Sequence, residues 1–113
     1  MQQETLTVES VAGKSEGTRI VRVTGPVLLN NFFGLKSELE QNQPPVTILD
    51  LSGVEYMDSA GMGAIINFYV SSQRRGNKLI AAGVNQRVLE LFKLTHVDSQ
   101  IPISATVEEA EKL

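Results

Sequence analysis

After Gly25 the chain alternates short β-branched runs with segments whose apolar residues recur at helical spacing, and this alternation constrains the fold more than any other feature. Residues 46–51 are almost wholly apolar, the pattern of a strand buried on both faces or near a sheet centre. From Ser59 to about Arg75 the period changes. Met62, Ile65, Ile66 and Tyr69 fall at i, i+3, i+4 and i+7, one stripe of a helix. Gly76-Asn77 closes that helix, and residues 79–82 form another short buried strand. Strands alternating with helices pair in parallel through right-handed crossovers.

The remaining elements follow from the same signals. Residues 6–11 and 19–24 read as strands, and residues 12–18 between them carry two glycines, so the pair forms an antiparallel hairpin. Gly25-Pro26 breaks the second strand. Asn30 and Asn31 are placed to cap a helix with Phe32, Leu35 and Leu39 inward, and Pro44-Pro45 stops it. Asn85 is placed to cap a helix that buries Val88, Leu91 and Phe92. Residues 101–103 suit a minimal edge strand, because Pro102 cannot donate to a ladder, and Ser104 is placed to cap a last helix with Val107 and Ala110 inward. The expected order is β-β-α-β-α-β-α-β-α in one α/β domain over residues 1–113. If every crossover steps the same way, the mostly parallel sheet is sequentially ordered and all helices lie on one face.

Composition narrows the function. The 113 residues suit one domain, and 42% apolar residues fit a globular chain. With no cysteine, disulfides and thiolate zinc sites are excluded, which is compatible with a reducing cytoplasm. Residues 1–9 are polar with no signal pattern, and no apolar run approaches the ~20 residues of a membrane span. Ten basic against thirteen acidic side chains give a net charge of −3, which argues against tracking nucleic-acid phosphates. Arg74-Arg75 is the only adjacent basic pair and reads as a solvated helix end.

Enzymatic chemistry finds little to work with. The lone histidine, His96, lies in a loop with no second histidine for a metal pair. Ser59 lacks the glycine-flanked elbow of hydrolases, and no phosphate-cradling glycine loop is present, so no catalytic residue, cofactor or metal is expected. Asp50 and Asp58 flank a loop and are expected to accept backbone N–H groups rather than form a carboxylate pair.

The informative stretch is Asp50-Leu51-Ser52-Gly53-Val54-Glu55-Tyr56-Met57-Asp58-Ser59-Ala60-Gly61-Met62-Gly63. A buried strand ends, a loop follows, and a helix opens at Asp58-Ser59 with two glycines in its first turns. Each glycine costs about 1 kcal/mol of helix stability relative to alanine, yet small residues leave the backbone and the Ser59 hydroxyl open to another surface. Asp58 or Ser59 serves as a helix cap on the plain reading. On the functional reading Ser59 is a phosphorylation site. A phosphate there would meet unpaired N–H groups and the positive end of the helix dipole, adding about −1.5 to −2 charges without unfolding the domain.

This run resembles the signature of STAS domains, whose best-known members are bacterial anti-sigma-factor antagonists. Asp58, Ser59, Ala60, Gly61 and Met62 fit the family's Asp-Ser-(Ser or Ala)-Gly-apolar motif in order. Gly76-Asn77-Lys78-Leu79, residues 88–94 and Ile103-Ser104 with Glu108-Glu109-Ala110 resemble its later elements, so the likeness runs over residues 19–113. It implies a cytoplasmic switch that binds an anti-sigma factor with serine kinase activity while Ser59 is unmodified, and a PP2C-type serine phosphatase as a second partner. It implies a partner-binding surface over Asp58, Ser59, Ala60, Gly61, Met62 and Gly63. The sequence departs from the family after the second strand. Where relatives carry Gly-Glu-apolar-Asp, this chain has Gly25-Pro26-Val27-Leu28. Leu28 then either packs under the first helix beside Phe32 or forms an apolar contact for a partner less basic than the usual kinase. A STAS scaffold without serine modification is the alternative within the binding class, and a small serine-dependent enzyme is a third reading.

Overall fold

In the computed structural model the Gly and Pro breaks become turns between nine elements; residues 5–41 and 43–113 are described. Residues 1–4 of the polar N-terminal run lie outside the described residues. The elements are β1 (Thr7–Ala12), β2 (Thr18–Thr24), α1 (Phe33–Glu40), β3 (Val46–Gly53), α2 (Ser59–Arg74), β4 (Lys78–Ala82), α3 (Gln86–Leu94), β5 (Ile103–Ser104) and α4 (Val107–Ala110). The five strands pair in sequence order. β1 runs antiparallel to β2, and the β2–β3, β3–β4 and β4–β5 pairs are parallel. This is the expected topology.

Because side chains alternate across a strand, each central strand feeds two cores. Val21, Val23, Leu49, Leu51, Leu79 and Ala81 face one side, where they meet Leu35 and Leu39 of α1, Met62, Ile65, Phe68 and Tyr69 of α2, and Val88 and Phe92 of α3. The opposite side carries Ile20, Ile48 and Ile80, aligned across the sheet by register, together with Ala82. These pack against Val107 and Ala110 of α4.

The expectation that all helices share one face therefore holds for α1 to α3 and fails for α4. The three crossover helices are held to one face by handedness and by a strand order that always steps the same way. α4 joins no two of the five strands, so crossover handedness does not hold it to that face. β3 is apolar on both faces, and a bare second face would leave its isoleucines in water.

The helix ends differ in chemistry. α2 and α3 both finish with a residue of positive φ, Gly76 (φ 73°) and His96 (φ 62°). In each, the N–H two residues past the cap returns to the last turn, Asn77 to Ser72 at 2.8 Å and Val97 to Phe92 at 3.0 Å. α1 ends with Gln41 in extended conformation and takes its cap from β2. The Arg19 guanidinium donates to the carbonyls of Glu38 (3.1 Å), Leu39 (3.2 Å) and Gln41. Burial pushes this guanidinium below its ordinary pKa, and the neighbouring Glu38 carboxylate opposes that.

Three local assignments are corrected. Neither Asn30 nor Asn31 caps α1, whose N-cap position is Phe32 with no side-chain bond. Asn31 instead braces the preceding loop, its Oδ1 accepting from Leu28 N–H at 2.7 Å and its Nδ2 donating to the Pro26 carbonyl at 2.9 Å. α4 is capped by Thr106, which accepts from Glu109 N–H at 3.1 Å, while Ser104 belongs to β5. Pro102 lies before β5, not inside it, and uses only its carbonyl, which accepts from Ala81 N–H at 2.9 Å.

Candidate functional site

The loop after β3 is fixed before α2 begins. Val54 and Met57 are buried and anchor it to the core. On one side it runs beside the segment after Gly25: Val27 N–H donates to the Tyr56 carbonyl and Asp58 N–H to the Val27 carbonyl, each at 3.1 Å. On the other side the Asn85 side chain holds it. Asn85 Nδ2 donates to the carbonyls of Val54 (3.2 Å) and Glu55 (3.1 Å), while its Oδ1 caps α3 through Val88 N–H at 2.9 Å. One side chain thus starts a helix and positions the loop that leads to the site.

Asp58 is the N-cap of α2, in extended conformation. Its Oδ1 accepts from Ala60 N–H at 3.0 Å and Gly61 N–H at 3.1 Å. Its Oδ2 accepts from Leu29 N–H at 3.0 Å, so the same carboxylate ties the start of α2 to the loop before α1. Ser59 follows as the first helical residue and is exposed. The first-turn amides expected to be free for a phosphate are therefore partly occupied. A phosphate on Ser59 would keep the favourable helix dipole but stand beside the Asp58 carboxylate, a like charge.

The six motif residues do not share one role. Ala60 and Gly63 are half-buried, and Gly61 and Met62 are buried. A Cβ on Gly61 would lie 2.7 Å from the Val27 carbonyl oxygen and 2.8 Å from Val27 Cγ1, so this glycine lets α2 approach the segment after β2. A Cβ on Gly63 would meet nothing within 4 Å. The expectation that both glycines open the surface thus applies to Gly63; Gly61 and Met62 support the site from beneath.

Leu28 is half-buried and outside both core clusters. Its neighbour Leu29 is 69% exposed, and Phe33 at the start of α1 is 63% exposed. Leu28, Leu29, Asn30 and Asp58 line a shallow open depression. In the sequence the family's lost acid points to Leu28 but not to Leu29 or Phe33. Consecutive apolar residues where a strand has ended and no helical stripe has begun could have signalled them.

Asp50 and Asp58 behave as expected of loop-flanking carboxylates. Asp50 Oδ1 accepts from Ser52 N–H (3.0 Å) and Oγ–H (2.7 Å), and its Oδ2 lies 3.8 Å from Arg22 Nε. His96 is exposed in the turn after α3. Among the described residues no helix is long and apolar enough to cross a membrane.

The chain thus has a five-stranded, sequentially ordered sheet and an exposed serine at the start of its second helix. The profile of the STAS domain family matches residues 10–110, and the chain belongs to that family. A curated relative, the anti-sigma-B factor antagonist of Listeria monocytogenes, is 34% identical over 55 residues. That match covers 49% of this chain and 48% of the relative, so the chain spans about half the length of the curated relative it matches. The crystal structure of an anti-sigma factor antagonist from Mycobacterium paratuberculosis superposes with a TM-score of 0.76 at 21% identity, covering 94% of this chain and 92% of that one. SpoIIAA, a Bacillus cell fate determinant solved in its phosphorylated form, gives 0.73 at 16% identity, covering 96% and 97%. At these identities the two structures speak for the fold.

Proposed function

We propose that this protein is an anti-sigma factor antagonist whose binding is controlled at Ser59. The observation that carries the reading is the exposed Ser59 at the start of α2, held by a cap that also fixes the adjoining loop. Unmodified protein binds an anti-sigma factor with serine kinase activity through Asp58, Ser59, Ala60, Gly63 and Leu28. Phosphate on Ser59 releases it, and a PP2C-type serine phosphatase resets the switch. The names of the curated relatives support the class, and the motif supports the serine.

The release mechanism is electrostatic. A fresh anion beside Asp58 in a closing interface suffers like-charge repulsion and desolvation of several kcal/mol, sufficient for release. The fold itself changes little, because Ser59 is exposed and the helix dipole favours negative charge there. The test is a pull-down from the native lysate with wild type and Ser59→Asp as baits, followed by calorimetry on the recovered partner. Wild type should retain an anti-sigma factor and Ser59→Asp should lose it, with melting temperatures nearly equal. Equal affinity for wild type and for protein phosphorylated at Ser59 would overturn the switch.

A further inference from the structure

The segment between β2 and α1 exposes more apolar surface than the fold requires. Leu29 and Phe33 are each about two-thirds exposed, and Leu28 and Phe32 beside them are half-buried. Phe33 stacks on Phe32 with ring centroids 4.4 Å apart, so the exposed ring already rests against its neighbour. Asn31 braces the loop through Leu28 N–H and the Pro26 carbonyl. Leu29 N–H is bonded to Asp58 Oδ2 at 3.0 Å. Leu29 is thus joined by a hydrogen bond to the residue next to Ser59, and Leu28, Leu29 and Asp58 line one open depression at the foot of α2.

We propose that Leu29 and Phe33 form an apolar platform that docks the anti-sigma factor alongside Ser59 and supplies much of the affinity for it. The inference rests on the antagonist reading and names the part of the surface that holds the partner, as distinct from the part that is switched. Three features identify the occupant. First, a partner that covers Ser59 meets this patch, because Asp58 belongs to both. Second, the patch is too small for a dimer of its own. Two side chains of this size, so exposed, present on the order of 200–300 Å², whereas a stable interface buries about 800 Å² on each partner. Third, a two-fold contact centred on the patch would bring the Asp58 carboxylates of two copies together, a like-charge pairing that disfavours self-association. A pre-positioned aromatic ring beside a leucine is the composition of a binding hot spot, and the partner must offer an apolar pocket to match.

The experiment measures calorimetric affinity for the anti-sigma factor recovered in the pull-down, using wild type, Leu29→Ser, Phe33→Ser and Leu94→Ser. Leu94 is the control. It is 73% exposed but lies at the end of α3 opposite Asn85, away from the Ser59 surface. Leu29→Ser keeps the backbone N–H that Asp58 accepts, so a folding defect in one platform variant leaves the other informative. Leu29→Ser and Phe33→Ser should each weaken binding by roughly ten- to thirty-fold, with melting curves and Ser59 phosphorylatability retained, and Leu94→Ser should bind as wild type. Equal binding by both platform variants overturns the platform and leaves the switch standing. An equal loss in Leu94→Ser overturns it too, as general surface apolarity. Sedimentation that shows a wild-type dimer dissolved by Phe33→Ser assigns the patch to a second copy and overturns it. Recovery of no anti-sigma factor by wild type removes the antagonist reading and this inference together.

Discussion

Gly61 and Gly63 sit two residues apart in one helix and answer to different constraints. A side chain at Gly61 would strike the backbone of Val27, while one at Gly63 would stand in open space. Gly61→Ala should therefore destabilise the protein by roughly 1–3 kcal/mol, as overpacking does. Gly63→Ala should stabilise it by about 1 kcal/mol through helix propensity alone. Urea denaturation of the two variants would check both signs; a Gly63→Ala protein no more stable than wild type would mean that a neighbour does occupy that space. A half-buried glycine with open space above its Cα, kept at the expense of helix stability four residues after Ser59, fits a surface that a partner approaches closely. The two glycines look alike in the sequence because spacing alone cannot say which side of α2 faces the segment after β2.

At the scale of elements, the helix termini show how local and non-local chemistry divide the work. α2 and α3 stop by their own backbone, with Gly76 and His96 turning the chain. α1 depends on a side chain from another element, since Arg19 of β2 accounts for three of its terminal carbonyls. Arg19→Met should cost about 2–3 kcal/mol, because carbonyls left partly buried lose charge-assisted hydrogen bonds. Amide exchange should then rise first in the last turn of α1. Uniform protection across α1 in the variant would show that the cap is dispensable. Legibility follows the same division. The α2 boundary at Asp58 was readable, because Asp-Ser before an apolar stripe is a local signal. The α1 start was not, because Asn31 spends its side chain on Pro26 and Leu28, partners in a loop whose shape the sequence does not display.

For the molecule as a whole, the consequential element is the shortest helix. α4 is one turn long, too short to be helical by propensity, yet it covers the face bearing Ile20, Ile48 and Ile80. Truncation after Ser104 should expose these side chains and lower stability by roughly 3–5 kcal/mol. It should also raise binding of a hydrophobic dye, while the α1–α3 face, which carries Ser59, stays assembled. A truncated protein with wild-type melting and no dye binding would show that the second face needs no cover.

The alternation of strands and helices, the leading hairpin and the serine at the head of α2 were written in the chain. Each rests on period, on turn residues or on a cap, interactions within a few residues of one another. The placement of α4, the burial of Gly61 and Met62, the guanidinium cap on α1 and the apolar surface at Leu29 and Phe33 were decided by the tertiary structure. They depend on which faces meet once the sheet has formed, and two residues such as Arg19 and Leu39 become neighbours only when β2 and α1 are packed.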